Sequence, residues 1–126
     1  MAYSITPTPY GFHITFSGNI PVTEMVKWHM DSVQALKIAK RPFSCLIDMS
    51  QMGTLPQDSK AELAKGQDLY KRMGLVRSAV LVPTRMIAKQ LKDMASESGI
   101  LPNERYISIE VPNAQAKAEA YCQDGI

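Results

Sequence analysis

Two short apolar runs constrain this chain more than anything else in it. One is Phe43-Ser-Cys-Leu-Ile-Asp-Met49; the other runs from Leu75 to Val82 with Ala79-Val-Leu-Val82 at its heart. Both fall far short of the ~20 apolar residues of a membrane span. Both are also too continuous for a strand with one wet face, so each reads as a strand covered on both sides. Between them lie a loop, Gln51 to Ser59, and a helical run to Tyr70. Covered strands joined through a helix pair in parallel by a right-handed crossover. The Phe43–Tyr70 stretch is therefore the expected centre of the fold.

The flanking sequence extends the pattern in both directions. Tyr3 to Ser17 predicts an antiparallel hairpin, with Pro7-Thr8-Pro9-Tyr10-Gly11 as its turn. In its second strand Phe12, Ile14 and Phe16 alternate with His13, Thr15 and Ser17. Val22, Met25, Val26, His29, Val33 and Leu36 recur at three- and four-residue steps, a helix from Pro21 to about Lys40. Trp28 borders that stripe. Ser59-Lys-Ala-Glu62 fits a capping box opening the next helix, which Gly74 ends. Gly66 inside this helix signals close approach of a neighbour, since it weakens a helix by about 1 kcal/mol relative to Ala. Thr84 caps a third helix with Ile87, Leu91, Met94 and Ala95 buried and Gly99 at its end. Arg105 to Val111 alternates as a half-exposed strand near a sheet edge. A last helix follows Pro112-Asn113, with Ala114, Ala118, Tyr121 and Cys122 on one face. The order β-β-α-β-α-β-α-β-α predicts an α/β fold. Its sheet is mixed: an N-terminal antiparallel hairpin plus three further, mainly parallel strands, flanked by about four helices.

Composition agrees with one soluble-type domain over residues 1–126, 45% apolar and 21% charged. The 14 basic and 12 acidic residues leave a net charge of +2, which gives no general pull on nucleic acid or anionic membrane. Lysines and arginines on the second and third helices are interleaved with Glu62, Asp68 and Asp93, a solvated face. Cys45 and Cys122 lack metal-ligand spacing and read as buried thiols of a reducing compartment. The opening Met-Ala-Tyr-Ser-Ile-Thr-Pro has neither the basic nor the apolar region of a secretory leader. The expected location is the cytoplasm.

Catalytic signatures are not found. The chain has no Gly-x-Gly-x-x-Gly, no Walker-type loop, no His-Glu-x-x-His, no Cys-x-x-Cys and no Gly-x-Ser-x-Gly. His13 falls on the polar face of its strand and His29 within a helical stripe, so neither stands out as a proton carrier. An enzyme would need Asp48 within reach of His13 or His29. The expectation is a protein that is not an enzyme, with no catalytic residue, metal ligand or cofactor. Its candidate binding loop comprises Asp48, Met49, Ser50, Met52 and Asp58. Asp48 ends a central strand, where carboxylates of open α/β sheets face ligands or cap their own loop. Asp58-Ser59 stands at a helix start, where unpaired N–H groups and the macrodipole favour phosphate; there Ser59 also serves as the cap. Met49 and Met52, with Leu55, could border an apolar crevice for a small molecule or lipid.

In the hairpin ending Phe16-Ser17-Gly18, the helix from Pro21, the Cys-Leu-Ile-Asp48-Met strand, the Ser-Ala-Val-Leu-Val82 strand and the Glu104-Arg105-Tyr106 run, the chain resembles STAS / SpoIIAA-like proteins. It is most similar to small stand-alone bacterial members related to anti-sigma-factor antagonists. The resemblance covers nearly the whole length and implies a binding role in bacterial regulation. It implies a protein partner, such as an anti-sigma-type kinase, and a homodimer. It also implies Ser59 as the phosphoacceptor, because Asp58-Ser59 looks like the family's Asp-Ser motif. The sequence departs from that motif in continuing Lys60-Ala61-Glu62 rather than into small residues and glycine. Lipid-binding relatives of the same fold class supply the alternative, an apolar carrier.

Overall fold

The computed structural model describes residues 2–53, 55–89, 92 and 104–126. Five strands form one sheet in the order β1-β2-β3-β4-β5. They are β1 (Tyr3–Thr8), β2 (Gly11–Gly18), β3 (Phe43–Met52), β4 (Leu75–Val82) and β5 (Glu104–Ser108). The β1–β2 pair is antiparallel and the β2–β3, β3–β4 and β4–β5 pairs are parallel. Four helices flank the sheet: α1 (Val22–Lys37), α2 (Gln57–Arg72), α3, helical over residues 85–89 and at 92, and α4 (Ala114–Asp124). The α/β class and the mixed sheet expected from the element order are therefore present.

Crossovers of one hand that all step the same way across a sheet deliver their helices to one face. Residues of α1, α2 and α3 accordingly pack against Phe12, Ile14, Phe16, Cys45, Met49, Val80 and Val82. The opposite face carries Leu46, Ala79 and Leu81, and α4 covers it with Ala114, Ala118, Tyr121 and Cys122, the four positions expected from its periodicity. The C-terminal end of α4 is held by Arg77, whose Nη2 donates to the Cys122 and Gln123 carbonyls at 3.2 and 3.3 Å. Arg105 stacks 4.2 Å from the Tyr121 ring centre on the same face.

Several boundaries differ from the sequence reading. Pro7 and Thr8 lie in β1 rather than in the turn. A proline is tolerated there because β1 is an edge strand, where one flank of the ladder has no partner to bond. Gly11 follows with φ +148°, and a Cβ there would sit 2.1 Å from the Ser44 carbonyl oxygen. The start of β2 thus meets β3 at glycine distance. β3 runs on to Met52 because β2 offers Ser17 and Gly18 as partners beyond an irregularity after Thr15. At the other edge, β5 ends at Ser108, so Ile109 and Val111 are not strand residues, and Ile107 packs towards α4. Thr84 accepts a bond from the Ile87 N–H at 3.2 Å, as a cap does. The expected roles of Leu91, Met94, Ala95 and Gly99 lie outside the described residues.

Helix α1 departs furthest from its expected phase. It buries Met25, Trp28, Ser32 and Leu36, not the stripe through Val26 and His29. Trp28 turns inward because an aromatic cluster receives it. Its indole stacks on Tyr70 at 5.8 Å and meets Phe16 edge-on at 5.4 Å. Ser32 can be buried because the Tyr70 hydroxyl donates to its Oγ at 2.8 Å. On the far side of α1, Asp31 accepts a hydrogen bond from the Tyr3 hydroxyl. Gly66 of α2 is the residue that makes room for the indole. A Cβ there would lie 2.1 Å from Trp28 Cζ3.

Candidate functional site

The residues singled out in the sequence do not form one cluster. β3 carries four of them as strand residues; alternation sends Asp48 and Ser50 to the face opposite Met49, and the register irregularity between Asp48 and Gln51 returns Met52 to the Met49 side. Met49 is buried among the residues under α1 and α2, with Met52 and Leu55 packed at the edge of that core. Asp48 and Ser50 border the open groove beside Leu81, Glu110 and the start of α4. There the Asp48 carboxylate accepts from the Ser50 N–H at 2.9 Å and from the Ser50 hydroxyl at 2.6 Å. It is occupied by its own chain. No hydrogen bond joins Asp48 to either histidine among the described residues. His29 Nδ1 instead lies 3.4 Å from Glu62 Oε2, bridging α1 and α2.

The start of α2 is a correction. The helix opens at Gln57 with Pro56 as its N-cap and makes no side-chain cap bond. Ser59 is its third residue, not its cap, and its side chain is 0% exposed. The hydroxyl donates to the Ile20 carbonyl at 2.8 Å, fastening α2 to the segment after β2. Glu62 does not turn back as a capping box requires; it reaches His29 and Lys65. The two ends of the motif were claimed by tertiary partners that local spacing cannot register. Asp58 remains exposed, and its carboxylate accepts the Ser59 N–H at 2.9 Å.

The strand order also bears on Asp48. Open α/β sheets bind ligands where the strand order reverses and neighbouring crossovers part to opposite faces. Here the order of the described strands never reverses. The groove that Asp48 borders is therefore not a switch-point crevice; it is formed with the segment after β5 and the start of α4.

A small void, with room for a water or two, lies elsewhere in the fold. Between α2 and the sheet is a cavity walled by Ile14, Phe16, Trp28, Ile47, Met49 and Leu63, with Gln67, Lys71, Ser78 and Glu104 at one side of the lining. Ser78 and Glu104 are register partners on β4 and β5. Both occupy positions whose neighbours along the strand, Val80 and Tyr106, face the helices. Ser78 is 2% exposed, and its Oγ makes no hydrogen bond of ordinary geometry among the described residues. Trp28 Nε1 is likewise buried without a partner there. For Trp28 that is an unmet demand of roughly 1–3 kcal/mol, whereas the Ser78 hydroxyl lies close enough to the Glu104 carboxyl to act on it.

Burial pushes the Glu104 carboxyl above the ordinary glutamate range, against the opposing pull of Lys71 and of the Ser78 and Tyr106 hydroxyls. The Tyr106 hydroxyl donates to Glu104 Oε1 at 3.4 Å. Burial, and then the neighbouring carboxylate, holds that phenol protonated well above its usual range. Sequence reasoning missed this group because Ser78 and Glu104 come from separate segments and meet only through strand register. The available signal was a serine on the helix-facing side of a strand whose last four residues are all apolar.

The two thiols are buried and free. Cys45 belongs to the core beneath α1 and α2, Cys122 to the α4 layer. Cys122 Sγ donates to the Cys45 carbonyl at 3.3 Å, and burial pushes its pKa up to about 11. Neither is a ready nucleophile. Among the described residues no group of histidine, cysteine or carboxylate side chains could hold a metal ion, and no helix is long and apolar enough to cross a membrane. Comparison of the chain with protein-family models and with curated protein sequences gives no match.

Proposed function

We propose that this protein is a non-enzymatic, STAS-like regulatory module that works by binding protein, and that it pairs with a second copy of itself. The observation that carries this reading is the outer face of α1. Besides its buried stripe the helix has a second apolar line, Val22, Val26, Met30 and Val33, at steps of four, four and three. Met30 is 64% exposed and Val26 39% exposed. A helix that has already committed one stripe to its core and displays another on the surface is built to meet something else. A pair of such helices related by a two-fold axis would place like stripes together, which a self-complementary interface requires.

Ser59 is not part of this proposal as a switch. A phosphate there would require the first turn of α2 to part from Ile20, because the hydroxyl is enclosed and already engaged. The resemblance to anti-sigma-factor antagonists supports a protein partner and leaves its identity to experiment. The test is a dilution series by sedimentation velocity, run alongside capture with the immobilised protein. Wild type is expected to sediment as a dimer. Met30→Glu is expected to be monomeric and to retain less partner, with unfolding within about 0.5 kcal/mol of wild type. A monomeric wild type that retains nothing Met30→Glu fails to retain sinks the proposal.

A further inference from the structure

We propose that the outer edge of β5 is a docking site for an extended, acidic segment of a protein partner, which adds to the sheet as a further strand. The site is separate from the outer face of α1, and either can fail without the other.

A groove of about 610 Å³ runs along that edge. Its floor is four consecutive residues of β5, 105–108, and its walls include Arg85 of α3 and Lys117 of α4. Alternation sends Tyr106 to the face that α3 covers and Ile107 to the face that α4 covers. A space that touches both residues, with a helix from each face as a wall, lies along the free side of the strand.

The backbone on that side is open. The Ile109 N–H donates to the Val82 carbonyl of β4 at 2.9 Å. Backbone groups of alternate residues point the same way across a strand. Arg105 and Ile107 therefore turn theirs to β4, and Tyr106 and Ser108 turn theirs outward. The Ser108 carbonyl is taken by the Val111 N–H at 3.0 Å. The Tyr106 N–H and carbonyl and the Ser108 N–H have no backbone partner among the described residues. Sheet edges are commonly blunted by proline. The edge strand β1 carries Pro7, whereas β5 carries no proline. Unpaired backbone at the floor of a groove is the arrangement that receives an added strand.

Charge selects which strand. Arg85, Arg105 and Lys117 are exposed and line the groove, and no acidic side chain lines it among the described residues. Arg105 also stacks on Tyr121 and donates through Nη1 to the Ile126 main-chain oxygen at 3.2 Å, which leaves further guanidinium donors. A second copy of this chain, edge to edge, would set three cations against three. A single-stranded nucleic acid would meet the cations but could not continue the ladder. An extended peptide with carboxylates on both its faces answers the backbone and the charge together.

The test is fluorescence anisotropy with a labelled peptide, Glu-Val-Glu-Glu-Val-Glu, titrated with the whole protein. Two control peptides carry lysine for glutamate or a methyl group on every backbone nitrogen. Saturable binding of the acidic peptide is expected, with at least about tenfold weaker binding of either control. Arg85→Glu and Lys117→Glu each reverse an exposed charge, so both variants are expected to fold, and each should weaken the acidic peptide about fivefold. Met30→Glu should bind it as wild type does. The proposal is overturned by absent binding of the acidic peptide, by equal binding of either control, or by undiminished binding in the folded Arg85→Glu, Lys117→Glu double variant. It is also overturned if Met30→Glu loses the peptide, or if an oligothymidylate displaces the peptide at lower concentration than the unlabelled peptide does.

Discussion

At position 66 two physical effects oppose each other, and their magnitudes decide the outcome. Alanine favours a helix over glycine by about 1 kcal/mol. The added methyl carbon would, however, overlap the Trp28 ring at 2.1 Å, and that ring is clamped between Phe16 and Tyr70. Overpacking of this kind costs about 1–3 kcal/mol. Gly66→Ala is therefore expected to lower stability in a denaturant titration, against its helix propensity. Ser59 offers a second case. Ser59→Ala leaves the Ile20 carbonyl without its donor and should cost roughly 1–2 kcal/mol. Ser59→Asp would place a carboxylate in the same enclosure against a carbonyl oxygen, and should cost several kcal/mol by calorimetry. If Ser59→Asp unfolds at the wild-type temperature, the enclosure described for this residue is wrong.

The helices illustrate what a periodic pattern can and cannot disclose. In α4 Ala114, Ala118, Tyr121 and Cys122 fall on one face at three- and four-residue steps, and that phase was legible although Ala116 and Ala120 lie outside it. In α1 two apolar lines run side by side, and the pattern blended them. The blend could be separated only by knowing that Trp28 would find Tyr70 and that Ser32 would receive a hydrogen bond. The capping box of α2 failed for a related reason, since Ser59 and Glu62 were both drawn to partners on other elements. Between α1 and α2, Glu62 is held below the ordinary glutamate range, first by His29 and then by Lys65. A depressed carboxyl stabilises the native state above its usual range, and the contribution is lost as pH falls on through its lower native value. Glu104 is displaced the other way by burial. Its contribution is present in acid and is lost as pH rises through its native value. Glu62→Gln should thus lower the unfolding temperature at neutral pH, and Glu104→Gln should raise it. The Glu104 difference should vanish once the pH is below the ordinary glutamate range, and the Glu62 difference only below its depressed native value. Thermal melts across pH 3.5–8 with the two variants beside wild type check both signs together.

For the molecule as a whole, the sheet was legible because covered strands and alternating strands look different in sequence. Phe43–Met49 and Leu75–Val82 named its centre, and the alternation after Arg105 named an edge. The cavity was not legible. Its polar side depends on Ser78 facing Glu104 across β4 and β5, a coincidence of register between segments far apart in the chain. The same holds for the division of Asp48 and Met49 between two faces, which follows from where β3 ends. An α/β sheet of this kind stands or falls on having both sides covered. Without α4, Leu46, Ala79 and Leu81 would face water together. A chain stopped after Asn113 should accordingly bind the dye ANS strongly and lose its sharp thermal transition, while keeping helical circular dichroism.

Chain order and spatial order coincide in this sheet, and that has a kinetic consequence. Every strand pairs with the one made just before it, so no pairing must wait for a distant segment. The hairpin can close first, and each parallel strand then joins a ladder already in place, bringing its own helix along. The loops to be closed stay short relative to the chain, and low contact order of this sort is associated with fast folding for a mixed α/β domain. During synthesis the β1–β3 portion has all its pairing partners before β5 is made. Only the α4 layer must wait for the last residues, so β3 and β4 emerge with one side bare and are shielded last.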